Sequence, residues 1–275
     1  MHRGIRVRDN KYSESDIIIN DAYYYVLILK QVKEVAINVV NYNISDCCIL
    51  FLSPFQLARL HVNEHSTVHI LHFHADFYCI EYHKKEVACN GVLFNNIFEQ
   101  PFIHASPNFS DEVYWFFERI ARLQKSNESY DSSIMKSYLQ LILAICNKEM
   151  VLQRRKCTTA AIHSLSEFTD LINENFIRHR TVQFYADYYK MGKSTFSKRV
   201  KSEYSRTPLE LIQERLILEA KKLLHLTYKS VKEIASELQF QDVFYFSRFF
   251  KKHVGVSPKK FRDTVGIAEV AKKSI

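Results

Sequence analysis

Two hexapeptides fifty residues apart, FSKRVK at 196–201 and FSRFFK at 246–251, share phenylalanine, serine, a cation and a closing lysine. A chain that repeats itself at a fixed offset builds one supersecondary unit more than once, so this repeat constrains the fold before any other feature does. Pro208 and Pro258 stand at the same offset, while Ala186 and Ala235 are 49 apart, which puts one added residue in the turn between them. Each copy therefore reads as a short helix containing alanine, a turn, a helix bearing FS(K/R)xxK, and then Ser/Thr-Pro.

Helix start signals fit this layout. Ser230-Val-Lys-Glu233 is a capping box, in which serine and glutamate each answer a free N–H of the first turn. Thr207-Pro208 and Ser257-Pro258 place proline where a helix needs no N–H, and Asp242 is suited to cap the aromatic helix. Leu209, Ile212, Leu216, Ala220 and Leu223 mark one face of a long helix between the copies. A short helix, a tight turn and a second helix rich in small polar and cationic residues make a helix-turn-helix.

On a helix, residues three, four and seven apart share a face. Ser194, Ser197, Lys198 and Lys201 do so in the first copy, and Phe244, Ser247, Arg248 and Lys251 in the second. Phe196 and Val200, and then Phe246, Phe249 and Phe250, fall on the opposite, core-directed faces. Phe244 stands on the cationic face, where its ring either meets a thymine methyl or packs against a neighbouring helix. A basic amphipathic helix also suits a membrane surface. Here the helix is short, and its first copy has serines where a membrane face needs bulk. GKST at 192–195 ends like a phosphate-binding loop, but Asp187 stands where that motif requires its first glycine.

Charge follows the same division. Residues 1–159 hold 17 Lys/Arg and 17 Asp/Glu, whereas residues 160–275 hold 21 and 13 and so carry the whole net charge of +8. That asymmetry points to a polyanion-binding part joined to a neutral one. The charged opening MHRGIRVRDN does not read as an export signal, and the longest apolar run, Ala22–Leu29, is too short to span a bilayer. Six cysteines without C-x-x-C pairing then read as reduced thiols in a cytoplasmic protein.

The segments TVQFYADYYKMGKSTFSKRVK, TPLELIQERLILEAKKLL, SVKEIASELQFQDVFYFSRFFKKHVGVSP and KKFR, spanning about 162–262, resemble the AraC-type (AraC/XylS) transcriptional regulators. The resemblance implies a seven-helix domain whose two reading helices enter successive major grooves of double-stranded DNA. Carried over by position, the first helix would use Lys193, Ser194, Ser197 and Lys198, and the second Val243, Phe244, Ser247 and Arg248. Arg248 suits bidentate bonding to guanine, while Lys201, Lys251 and Lys252 suit phosphates. The chain departs from the family pattern at Gln239 and Ser205, where glycine is common, so non-glycine residues must hold left-handed turn positions.

Residues 11 to about 105 are strand-like, with runs such as YYYVLIL, VAINVV, CCILFLS and VHILHFHADF broken by Asn, Asp and Pro. This half resembles the cupin-like barrel that such regulators carry as effector sensor or dimer scaffold. His72 and His74 alternate on one strand with His61, His65 and His69 nearby, but the carboxylate and flanking glycines of a metal cupin are missing. No metal, cofactor or catalytic group is expected; a metal-dependent cupin enzyme fused to a DNA-binding domain is the alternative reading. From Ser110 a helical hairpin follows, with Val113, Phe116, Phe117, Ile120 and Leu123 in its first helix. Its second helix shows two apolar rows, Ile134, Tyr138, Leu141, Ile145 and Met135, Leu139, Ile142, Cys146, fit to cap the barrel or to form a dimer interface.

The expected organisation is α+β with two domains: a cupin-like domain at 1–150 with its hairpin at about 110–148, a linker at 151–161, the DNA-binding domain at 162–264 and a tail at 265–275. The partners implied by the resemblance are double-stranded DNA, RNA polymerase, a small-molecule effector and a second copy of the chain bound through the N-terminal half, with no membrane. The function expected is sequence-specific transcription regulation, as an activator.

Overall fold

The computed structural model describes residues 4–11, 15–38, 40–44, 47–80, 93–94, 96–126, 128–158, 165 and 167–268. The chain divides into two units, Met1–Asn96 with Gln100–Lys156, and Ile97–Glu99 with Cys157–Ile275. The fold is the α+β, two-part arrangement that the patterning implies, with strands concentrated in the first unit and helices alone in the second.

In the first unit the strands are β1 (Ile5–Lys11), β2 (Ser15–Ile19), β3 (Tyr24–Lys30), β4 (Glu34–Ile37), β5 (Val40–Asn43), β6 (Cys47–Leu52), β7 (Ala58–Val62), β8 (Thr67–Phe73) and β9 (Phe102–His104). They form two antiparallel sheets, ordered β1-β8-β3-β6-β9 and β2-β7-β4-β5. Strand β7 alternates buried and exposed along ARLHV, as a strand with one solvated face must. Strands β3 and β6 are buried almost throughout, because both of their faces are covered. Leu27, Leu29, Leu50 and Leu52 join Val35 and Leu60 of the other sheet in one core. The second face lies under the first helix of the hairpin, α1 (Pro107–Ser126), which packs on β1 and β6.

That helix buries Val113, Phe116, Phe117 and Ile120, and Lys30 holds its start by donating to Asp111 at 2.9 Å. Near its end, Gln124 accepts the Val7 N–H at 3.4 Å and donates to the Ile5 carbonyl. The helix starts at Pro107, ahead of Ser110, whose hydroxyl instead turns back to the Pro107 carbonyl at 2.9 Å. In α2 (Asp131–Thr158) only one of the two apolar rows faces the core: Leu139, Ile142 and Cys146 are buried, while Ile134 and Leu141 are exposed. The segment expected as a linker at 151–161 is helical as far as Thr158. Leu, Gln, Arg and Lys are good helix formers, so a missing apolar period there does not mark a break; residues 159–161 lie outside the described chain.

The second unit holds α3 (Phe168–Asn175), α4 (Val182–Tyr188), α5 (Lys193–Tyr204), α6 (Pro208–Leu226), α7 (Val231–Glu237), α8 (Val243–Val254) and α9 (Pro258–Val265) among the described residues. The cap signals all appear. Thr207 and Glu210 form a capping box on α6, Ser230 and Glu233 form one on α7, and the Ser257 hydroxyl accepts the Lys260 N–H at 3.2 Å. Along α6, Ile212, Leu216, Ala220 and Leu223 are buried as their spacing requires, joined by Leu211, Ile217 and Leu224. Leu209 is exposed. It shares the first turn of α6 with Pro208 and Leu211, which are buried.

Candidate nucleic-acid interface

The repeat is present in the backbone as well as in the letters. In the first copy the N–H groups of Tyr189, Lys190 and Met191 donate to the carbonyls of Tyr185, Asp187 and Ala186. In the second, Leu238, Gln239 and Phe240 donate to Ile234, Ser236 and Ala235, each partner 49 residues on. Lys190 at φ 52° and Gln239 at φ 56° turn the chain left-handed between the paired helices, and Ser205 (φ 57°) and Gly255 (φ 84°) do so after them. Three of these four positions are therefore held without glycine, as the departures at Gln239 and Ser205 anticipate. The added residue is Gln241. Helix α5 starts from Gly192 and α8 from Asp242, 50 residues on, so the extra residue falls between turn and cap.

The Asp242 carboxylate accepts the Phe244 and Tyr245 N–H groups at 3.1 and 2.8 Å, which fixes where α8 begins and so the phase of its faces. Phe196 and Val200 of α5 are buried, as are Phe246, Phe250 and Val254 of α8. Phe249, expected in the core, is only half-buried, with its ring against Phe240 and His253 at its margin. Arg180 links the two copies. Its guanidinium lies 4.3 Å from the centroid of Phe240 and donates to the Leu238 carbonyl at the end of α7.

Outward from that core stand the residues singled out for DNA. Lys193, Ser194, Lys198 and Lys201 of α5 are exposed and Ser197 is half-buried. Phe244, Arg248, Lys251 and Lys252 of α8 are exposed, while Val243 and Ser247 are half-buried. Spacing assigned Tyr245 to neither face, yet it is 56% exposed beside Phe244. It lies in the first turn, where a residue 100° off the main face still clears the neighbouring helix.

Some cations of this unit pair with carboxylates: Arg199 with Glu203, Arg206 with Glu214, Arg215 with Glu219 and Lys229 with Glu237. Among the described residues no carboxylate pairs with Lys193, Lys198, Lys201, Arg248, Lys251 or Lys252. Two equivalent helix faces thus carry positive charge that the protein leaves uncompensated. A family profile described as a helix-turn-helix domain matches residues 185–264, which hold both turns and both cationic helices. The C-terminal unit holds a helix-turn-helix domain.

Relatives of the chain include the HTH-type transcriptional activator CfaD of Escherichia coli, 31% identical over 143 residues, covering 50% of this chain and 52% of that protein. The DNA-binding dual transcriptional regulator Rns of Escherichia coli is 30% identical over the same length, with the same coverage. The chain spans about half the length of these curated relatives. Among solved structures, apo ToxT from Vibrio cholerae aligns over 95% of this chain and 97% of its own, with a TM-score of 0.44 and 15% identity.

The rings of His72 and His74 both meet Tyr23, at 5.1 and 5.5 Å. His72 and His74 are both buried, whereas His61 is exposed and pairs with Asp16 at 2.8 Å. His74 Nδ1 accepts the Asp76 N–H at 3.2 Å. Among the described residues, no group of three or more His, Cys, Asp or Glu could hold a metal ion. No described helix is long and apolar enough to cross a membrane.

Proposed function

We propose that this protein regulates transcription by reading double-stranded DNA with the exposed faces of α5 and α8, and that its work is binding and not catalysis. The observation that carries this is the repeat itself, which builds two equivalent helices into the fold, each with an exposed face of cations that meet no carboxylate among the described residues. Lys201, Lys251 and Lys252 supply phosphate contacts, which position the protein and make its affinity fall with salt. Lys193, Ser194, Ser197, Lys198, Val243, Ser247 and Arg248 face base edges, and Arg248 bonds guanine O6 and N7. Activation is the direction in which the name of CfaD points, and RNA polymerase in the cytoplasm is the partner such an activator needs. Selection from random duplex DNA at near-physiological salt tests the reading. The wild-type chain should enrich two elements about one helical turn apart. Arg248→Ala should lose one guanine preference and about 1–3 kcal/mol of affinity. Enrichment of no element would reduce the protein to non-specific adhesion.

We also infer that two copies associate through the hairpin. Ile134, Tyr138, Leu141 and Ile145 repeat at the four-three spacing of a helix–helix seam. Ile134 and Leu141 of this row are exposed, and Trp115 of α1 presents a further exposed ring against Tyr138 at 6.3 Å. A row with two exposed members and two half-buried ones, Tyr138 and Ile145, beside a row that packs on the core, fits a second copy. Leu141→Glu should weaken self-association by about tenfold or more in sedimentation velocity. A wild-type chain that stays monomeric, or a variant that dimerises unchanged, would remove the hairpin as the interface. A dimerised barrel is also where a small-molecule effector would act, by favouring the domain arrangement that suits the promoter.

A further inference from the structure

We propose that Phe244 reads the C5-methyl group of a thymine in the element bound by α8, an inference that rests on the DNA-reading function above. The ring is 70% exposed, and among the described residues it meets no other ring or cation. Its backbone N–H is taken by the Asp242 cap, which fixes the helix turn from which the ring projects. The repeat supplies an internal control. Ser194 is the equivalent residue of α5, exposed at the same place one unit earlier, so the fold has no need of a ring there.

What surrounds the ring decides what covers it. Ser247, Arg248 and Lys251 lie on the same face at three, four and seven residues, and Tyr245 stands beside it at 56% exposure. A neutral apolar partner surface would leave those cations facing nothing, whereas DNA satisfies them through phosphates and guanine. The N-terminal turn of a recognition helix is the part that meets base edges. On the floor of the major groove the apolar group on offer is the thymine methyl. Phe244 and Arg248 are one turn apart, about 6 Å along the helix, or about two base-pair steps. The thymine should therefore lie within about two base pairs of the guanine assigned to Arg248.

The full-length chain tests this with deoxyuridine, which pairs as thymine does but lacks the methyl. Each thymine of the selected α8 element is replaced singly, and the affinities of wild type, Phe244→Ala and Phe244→Leu are compared. One replacement should weaken the wild type by about fourfold, the worth of one buried methyl, and leave Phe244→Ala unchanged, with Phe244→Leu between them. Phe244→Ala should keep the guanine preference and the element bound by α5. A selected α8 element in which no methyl matters to the wild type overturns the proposal while leaving DNA reading intact, and so does a methyl whose loss affects Phe244→Ala equally. Failure of the wild type to select any element overturns both.

Discussion

Phe246→Ala should destabilise the C-terminal unit by about 3–5 kcal/mol, while Phe244→Ala, two residues away on the same helix, should change stability by less than about 0.5 kcal/mol. The Phe246 side chain is wholly buried, with the ring of Phe240 at 5.1 Å and that of Phe250 at 6.0 Å. Removing it opens a ring-sized cavity in a cluster that α7, α8 and α9 build between them, Phe250 extending it to Phe261 at 5.6 Å. Phe196 holds the matching place in the first copy, fully buried, with Phe168 at 5.4 Å and Tyr189 at 5.7 Å. Phe196→Ala should therefore lose a similar amount. Urea unfolding followed by helical circular dichroism measures the loss. Trp115, the one tryptophan of the chain, lies in α1 of the first unit, so its fluorescence reports that unit separately. The dichroism midpoint should fall in both ring variants with the fluorescence midpoint held. A loss under about 1 kcal/mol would mean that these rings are not the unit's core.

What could be seen in the letters was local or repeated. Caps depend on three or four neighbouring residues, so Ser230 with Glu233 and Asp242 could be placed from sequence and stand as expected. The doubled pattern separated core from cationic face because two independent copies had to agree on one phase. Where a choice depended on a distant neighbour, spacing alone failed. Ile134 and Leu139 both belong to good apolar rows on α2, and only the packed sheet decides that Leu139 is the one covered. Phe249 and Leu209 have the right period, but one is only half-buried at the margin of its core and the other is exposed. The order β1-β8-β3-β6-β9 joins strands far apart in the chain, and no local signal encodes it. Phe244 could be read as core or as contact, and exposure settles that it is not core.

Acid should destabilise the first unit through His72, with most of the effect between about pH 6.5 and 4. The imidazole is 7% exposed, with Tyr23 at 5.1 Å and Tyr25 at 5.3 Å, and its buried Nδ1 has no hydrogen-bond partner among the described residues. Burial, with help from Arg8 and Arg6, pushes its pKa down to about 4, against a smaller upward pull from Asp21. Asp21 is itself engaged, accepting the Tyr25 hydroxyl at 2.6 Å. Above about pH 6.5 the ring is neutral whether the chain is folded or not, so His72 adds no pH dependence there. Below it the unfolded chain binds a proton that the folded chain refuses until about pH 4, so stability falls as pH falls, by up to about 3 kcal/mol across the window. His72→Gln removes the titration. Its urea midpoint by Trp115 fluorescence should therefore drop less between pH 7 and 4.5 than that of the wild type, and the difference between the two slopes isolates His72 from carboxylates that titrate nearby. Parallel slopes would mean that the ring takes its proton inside the fold, with Asp21 released from Tyr25 as its counter-charge, and the inner face of the five-stranded sheet would then be polar enough to hold a charged guest.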